Sequence, residues 1–204
     1  MDQALFEMSH EDRMRLCYES MREKDALTAA HCSRVAVVVE RLAGVLGADG
    51  DTLDLLRSAA LVHDVGKAAI PQSILTKPAP LDAAEWQVMK QHPEVGARLA
   101  RKLELPDELC DVVMHHHERY DGTGYPHGLS GDAIPLGARV LTVVDVFDAM
   151  TSERCYRPAF TMDAALHAMA QESGTVLDPD VLRGFEGMLR GETRARIRVL
   201  QGVG

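Results

Sequence analysis

His115-His116-His117-Glu118-Arg119-Tyr120-Asp121-Gly122-Thr123-Gly124-Tyr125-Pro126 sets three adjacent imidazoles against a turn-forming segment. Neighbouring side chains on a helix point about 100° apart, so consecutive histidines cannot all face an apolar core. Metal ligation is the better use for them, because imidazole is the commonest metal ligand near neutral pH. A helix that ends in a Gly-rich loop offers such ligands on a rigid element beside an open mouth. A solvated His run would be the alternative if the stretch stood alone. It does not, because further histidines and carboxylates recur at the ends of other apolar helices.

Working back from the triplet, Leu109, Val112 and Val113 lead to it from a helix start at Pro106. An earlier helix, capped at Leu81-Asp82 and carrying Trp86, Val88 and Met89, meets His92-Pro93. The proline breaks or bends it there and lets His92 leave the apolar stripe before the helix resumes through Val95, Leu99 and Leu103. Residues 70–80 read as an extended loop with Ile74 and Leu75 tucked inward. Before that loop, Asp51-Thr52 opens a helix through Leu53, Leu55, Leu56, Ala59, Ala60 and Leu61 into Val62-His63-Asp64-Val65-Gly66-Lys67, with Gly66 expected to end it. A buried carboxylate costs several kcal/mol unless paired or metal-bound, so Asp64 calls for a cation, a need that Lys67 one turn on would also meet. Residues 28–46 form another helix, with Val35, Val38, Val39, Leu42, Val45 and Leu46 apolar and Gly47 as the stop signal. His31 near its start reads alone as a packing or capping residue, and Cys32 as a small core residue. Residues 2–22 give one long or two short amphipathic helices.

Downstream, Ile134-Pro135 begins a helix through Val140, Leu141, Val143, Val144, Val146, Phe147 and Met150, the most apolar of the chain. Asp145 and Asp148 lie three apart on it and share a face, so metal or Lys/Arg contacts are expected. Arg154 and Arg157 follow in a segment suited to forked phosphate contacts. Met162–Gln171 and Pro179–Leu189 read as closing helices.

The length of 204 residues fits one domain, and 46% hydrophobic residues give it a sizeable core. Aromatics are scarce at 4% while Ala, Leu, Val and Met abound, which points to an all-α protein built by helix–helix packing. The net charge of −9 speaks against bulk DNA or RNA, whose binding rests on many Lys and Arg contacts to phosphate. A small anionic substrate remains open if metals supply local positive charge. Cys17, Cys32, Cys110 and Cys155 are far apart with no Cys-x-x-Cys pair, so neither a disulfide framework nor a zinc ribbon is indicated. With no leader and no apolar run of membrane-spanning length, the expected location is the cytoplasm.

Taken together, His31, His63, Asp64, His92, His116, His117 and Asp145 form an N/O ligand set. A set of that size suits two octahedral divalent ions of the Fe or Mn kind, bridged by a carboxylate and a hydroxide, rather than one tetrahedral zinc. Hydrolysis of a phosphate ester is the natural chemistry.

The sequence also resembles the HD-GYP phosphodiesterases, a branch of the HD superfamily of metal-dependent phosphohydrolases. The likeness is carried by His31-Cys-Ser-Arg-Val35, His63-Asp-Val-Gly-Lys67, Ile70-Pro71, Lys77-Pro78, His92-Pro-Glu-Val-Gly96, His116-His-Glu-Arg-Tyr-Asp-Gly-Thr-Gly-Tyr-Pro126, Gly128-Leu129, Ile134-Pro-Leu136 and Asp145-Val-Phe-Asp-Ala-Met-Thr-Ser152. The resemblance implies an all-helical HD bundle with the metal site between helices, and hydrolysis of cyclic di-GMP to pGpG and often GMP. It implies that His63, Asp64, His92, His116, His117 and Asp145 bind the metals, with His31 a further ligand position. Lys67 matches the family's phosphate-contacting lysine, and Gly124, Tyr125 and Pro126 match its signature loop beside the substrate. Arg154 and Arg157 look like phosphate or guanine contacts. On this reading Asp64 bridges the ions, a bridging hydroxide attacks phosphorus in line, and Lys67 with the metals stabilises the equatorial oxygens.

Two departures qualify the likeness. Leu27 stands where some members carry a Glu that supports a third metal, which leaves two ions as the expectation, and Cys155 replaces a usual Pro near Arg154. The expected organisation is a helical extension over 1–24, the phosphodiesterase domain over 25–190 and a charged tail over 191–204. Too little chain precedes His31 for a receiver or sensor, so regulation is expected from a homodimer, a diguanylate cyclase or another regulatory partner. A cyclic di-GMP receptor without turnover, and a phosphohydrolase of another nucleotide such as cyclic GMP-AMP, are the competing readings.

Overall fold

Asp25 closes one helix and opens the next. Its backbone N–H ends α1 (His10–Lys24), and its side chain accepts the N–H groups of Leu27 and Thr28 at the start of α2 (Ala26–Val45). In this computed structural model, which describes residues 8–153 and 158–192, α2 is the central element. It buries Ala29, Cys32, Val35, Ala36, Val39, Leu42 and Ala43, a spacing of three and four that makes a wide apolar stripe. Each buried Val or Leu side chain contributes about 1.5–3 kcal/mol of transfer free energy, so the stripe is where neighbouring helices gain most by docking.

On that stripe α1 lays Met14, Cys17 and Met21. Beside it packs α3 (Gly50–Val62), capped by the Asp49 side chain, which accepts Thr52 N–H. A 3-10 turn (Val65–Ala69) follows, then the short helices α4 (Gln72–Leu75) and α5 (Ala83–Met89). The start of α5 is a capping box of Asp82 and Glu85. Next, α6 (His92–Lys102) and α7 (Asp107–His115) pack on each other, and α7 also lies against α3. The apolar α8 (Leu136–Thr151) returns to α2, and α9 (Met162–Gln171) and α10 (Pro179–Leu189) close over it, with Phe147 and Phe185 meeting edge to face at 5.0 Å.

The expected all-α architecture is borne out. Among the described residues there is no strand, only isolated bridges between Asp121 and Ser130 and between Ser173 and Leu177. No helix among them is long and apolar enough to cross a membrane. Gly47 adopts the left-handed φ expected of the stop after α2, Pro93 sits in the first turn of α6, and the two closing helices have the expected bounds.

Three local readings need correction. The helix before His63 begins at Gly50 under an Asp49 cap, because Asp49 lies three before Thr52 and its side chain accepts the Thr52 N–H. Gly66 does not end that helix, which stops at Val62. Gly66 lies instead inside the 3-10 turn, where a Cβ would stand 1.9 Å from the His92 carbonyl oxygen and 2.6 Å from Gly96 N. Its use is close backbone approach, which brings the turn and α6 into contact. Residues 70–80 contain α4 rather than a wholly extended loop, and Ile74 and Leu75 are only half-buried.

Candidate metal centre

Chain direction changes at the centre, and the changes supply the side chains. His63 is the C-cap of α3, Asp64 precedes the 3-10 turn, His92 opens α6, and His116 is the C-cap of α7 with His117 next. His63 Nδ1 donates to the Ala60 carbonyl at 2.7 Å, His92 Nδ1 to Met89 at 2.8 Å and His116 Nδ1 to Val113 at 2.7 Å. A carbonyl only accepts, so Nδ1 carries the proton, and in each neutral ring Nε2 keeps its lone pair for a metal. The Thr142 hydroxyl from α8 donates to the His116 carbonyl at 2.9 Å and steadies the end of α7.

These lone pairs converge on Asp64. His92 Nε2 lies 3.3 Å from Asp64 Oδ1 and 3.3 Å from His116 Nε2, while His116 Nε2 lies 4.0 Å from Oδ1. Two donor groups share the carboxylate: Asp64 with His92, His116 and His117, and Asp64 with His31 and His63, the donor atoms of each group lying within 4.8 Å of one another. Asp64 is 2% exposed, and its buried Oδ1 has no hydrogen-bond donor. An ionised oxygen facing imidazole lone pairs in a dry pocket is repulsive unless a cation sits among them. The donor set therefore fits divalent metal, and imidazole with carboxylate suits Fe, Mn or Zn chemistry.

Protonation agrees. Burial, followed by the neighbouring imidazoles His117 and His63, holds His116 well below the usual histidine range. Burial and then His92 bring His117 down to about 3, and burial also lowers His63. Burial works to raise the Asp64 pKa, but Lys67, His63 and His92 outweigh it and keep the carboxyl ionised. Lys67 Nζ donates to Asp64 Oδ2 at 2.5 Å. The Asp–Lys pair of the sequence reading is thus formed, but it satisfies one oxygen and leaves the other.

His31 stands differently. Its Nε2 meets Asp145 Oδ1 at 2.9 Å and its Nδ1 meets Asp148 Oδ2 at 2.7 Å. Burial lowers its pKa, but the hydrogen bonds to Asp145 and Asp148 outweigh burial and push it up to about 9. As arranged, His31 is an imidazolium between carboxylates, and joining a metal requires it to give up a proton. The Arg34 fork holds Asp148 with two contacts of 2.8 Å. Asp145 and Asp148 share a face as expected, with Asp148 the second carboxylate of this group.

A scan against family models matches an HD domain over residues 15–181. The chain belongs to the HD-domain family. Within it the Gly124-Tyr125-Pro126 loop goes with the HD-GYP branch. The chain is 42% identical over 173 residues to "Cyclic di-GMP phosphodiesterase response regulator RpfG" of Xanthomonas campestris pv. campestris, covering 84% of this chain and 45% of that protein. It is 42% identical over 167 residues to "3'3'-cGAMP-specific phosphodiesterase 3" of Vibrio cholerae, covering 81% and 36%. The chain thus spans less than half the length of these curated relatives. Among solved structures it resembles Bd1817, an HDG"Y"P protein from Bdellovibrio bacteriovorus, with a TM-score of 0.65 and 22% identity over 80% of this chain and 52% of that one, a likeness of fold.

In this HD-GYP chain the signature loop walls the centre. Tyr125 stacks on His117 with ring centroids 4.9 Å apart, and burial, then Asp64 and Asp145, raise its phenol pKa. Gly124 is required because a Cβ there would stand 2.3 Å from Arg119 N, and Pro126 follows through a cis peptide bond. Glu118, 2% exposed, holds the loop by accepting the backbone N–H groups of His127 at 2.7 Å and Leu129 at 3.1 Å. His115 turns away from the centre, bonding to the Asp111 carbonyl and to His127. Arg154, Arg157 and Cys155 lie outside the described residues. Leu27 is 82% exposed and offers no donor.

Sequence reading missed Thr142, Glu118 and Arg34. Glu118 had a local signal, a carboxylate beside the histidine pair and just before a Gly-rich turn. Thr142 acts across distant segments and had none, whereas the Arg contact expected at the Asp145 and Asp148 face is the one Arg34 makes, without the sequence saying which arginine.

Proposed function

We propose that this chain is a metal-dependent phosphodiesterase that hydrolyses cyclic di-GMP to pGpG. The observation that carries the proposal is the pair of ligand groups sharing Asp64, whose buried Oδ1 lacks a donor. His92, His116 and His117 would hold one divalent ion, His31, His63 and Asp145 the other, with Asp64 between them and Fe or Mn the expected metals. Bound there, the ions supply Lewis acidity toward the phosphodiester and an ionised water near neutral pH. Relatives named for cyclic dinucleotides support the substrate class.

The chain's own groups position that substrate. Lys67 reaches the centre from the 3-10 turn with a quarter of its side chain exposed, so its ammonium serves a non-bridging phosphate oxygen once metal takes over the charge of Asp64. Tyr125, held on His117 by the Glu118-braced loop, forms one wall and excludes water from that side. Arg154 and Arg157 remain assigned to phosphate or guanine on the sequence alone. Cyclic GMP-AMP is the second reading, favoured by the 42% identity to a relative named for it.

The test is anaerobic turnover of both cyclic dinucleotides by protein loaded separately with Fe(II), Mn(II) or Zn(II), with metal counting and product chromatography. Hydrolysis of cyclic di-GMP, about two ions per chain and loss of both in Asp64→Ala are expected. Tight binding without turnover under every metal would replace the enzyme with a receptor.

A further inference from the structure

Trp86 is the chain's single tryptophan, and on α5 it is 43% exposed, one of seven large apolar side chains left to solvent among the described residues. Its surroundings are not those of a stray surface residue. The indole meets Tyr125 edge to face at 6.2 Å, and Tyr125 in turn stacks on His117 at 4.9 Å. Lys90, one turn along at the end of α5, places its ammonium 5.9 Å from the Trp86 ring and 5.4 Å from the Tyr125 ring. An aromatic path therefore leads from a metal-centre imidazole to a part-exposed indole in two ring-to-ring steps, with a cation over its outer half.

We propose that Trp86 and Lys90 form a nucleobase subsite, in which a purine of the substrate stacks on the indole while the scissile phosphate lies at the metal centre. This rests on the cyclic dinucleotide reading above. The two ring steps of 4.9 and 6.2 Å keep the indole beside the signature loop that walls the centre. An aromatic face accepts any base through stacking, and the Lys90 ammonium over the rings adds cation–π attraction. Lys90 also provides positive charge for a phosphate in a chain whose net charge is −9. Stacking does not read hydrogen-bond donors, so the subsite holds guanine and adenine alike. It contributes affinity rather than the choice between cyclic di-GMP and cyclic GMP-AMP.

The single indole makes the test direct. Cyclic di-GMP is titrated into the metal-loaded protein while tryptophan emission is followed, and KM and kcat are measured for the parent, Trp86→Phe and Trp86→Ala. Saturable quenching is expected, with KM raised roughly 5- to 100-fold in Trp86→Ala, kcat changed far less, and most affinity kept in Trp86→Phe. The rise should be the same for both cyclic dinucleotides. Circular dichroism of each variant checks that this half-exposed position leaves the fold intact. Unchanged emission at saturating substrate, or a parental KM in folded Trp86→Ala, overturns the subsite while the phosphodiesterase reading stands. If neither dinucleotide is hydrolysed, quenching by GMP still supports the subsite, and its absence overturns it.

Discussion

Gly66→Ala tests how the fold sets the metal centre, because the added methyl meets backbone on both sides. Its Cβ would lie 1.9 Å from the His92 carbonyl oxygen and 2.6 Å from Gly96 N, whereas real Cβ atoms do not approach other atoms below 3.0 Å. Neither neighbour is a flexible side-chain tip, so the 3-10 turn and α6 must part by about 1 Å, and overpacking of this kind costs about 1–3 kcal/mol. The displaced residue is His92, the first of α6, so the strain goes straight into the ligand set. A misplacement of about 1 Å in a reacting constellation lowers turnover roughly 100-fold. Urea denaturation in chelator gives the stability of the metal-free protein, and metal analysis after reloading gives the state of the centre. The control is Gly44→Ala on α2, where the nearest atom is Leu53 Cδ2 at 3.9 Å and replacing a helical glycine should stabilise by about 0.5–1 kcal/mol. If Gly66→Ala matched the parent in both unfolding midpoint and metal content, the backbone contact between turn and α6 would not be what positions His92.

Other outcomes follow from the same geometry. Asp64→Asn keeps the shape but removes the shared charge, so metal content should fall to below half of the parent and activity should be lost; full metal content would refute the shared role. In chelator-treated protein the raised His31 pKa makes stability pH-dependent: folded His31 holds its proton up to about 9 against 6.5 unfolded, so its contribution is complete below pH 6.5 and disappears as pH rises through 9. Urea titrations across that window should show a loss on the order of 3 kcal/mol, absent in His31→Gln. Glu118→Gln turns an acceptor toward the His127 or Leu129 N–H into a donor, which should cost about 1–3 kcal/mol and speed amide exchange over residues 121–130.

Much of the architecture was legible because apolar periodicity, Asp and Pro starts and Gly stops agree along the chain. The stripe of α2, the break at His92-Pro93 and the bounds of the last two helices came from local rules. So did the candidate donors, since carboxylates and imidazoles at the ends of apolar helices have few other uses. The misreading at Gly66 has a different origin: a glycine signals a missing Cβ without saying whether conformation or contact demands it, and here the contact lies with α6 rather than in the turn. The double engagement of His31 by Asp145 and Asp148 was equally hidden, because it needs the register of α2 against α8. Thr142 was silent for the same reason.

The span of the ligand set has a further consequence. His31 and Asp145 lie at opposite ends of most of the described chain, with Asp64, His92, His116 and His117 between them. In the proposed two-ion centre an ion held by both would act as a cross-link, closing nested loops in the unfolding chain much as a disulfide would, and long closed loops restrict the unfolded ensemble most. Unlike a disulfide, this staple is removable by a chelator and needs no oxidising compartment. Metal supply would then set how long the folded chain survives as well as how fast it works.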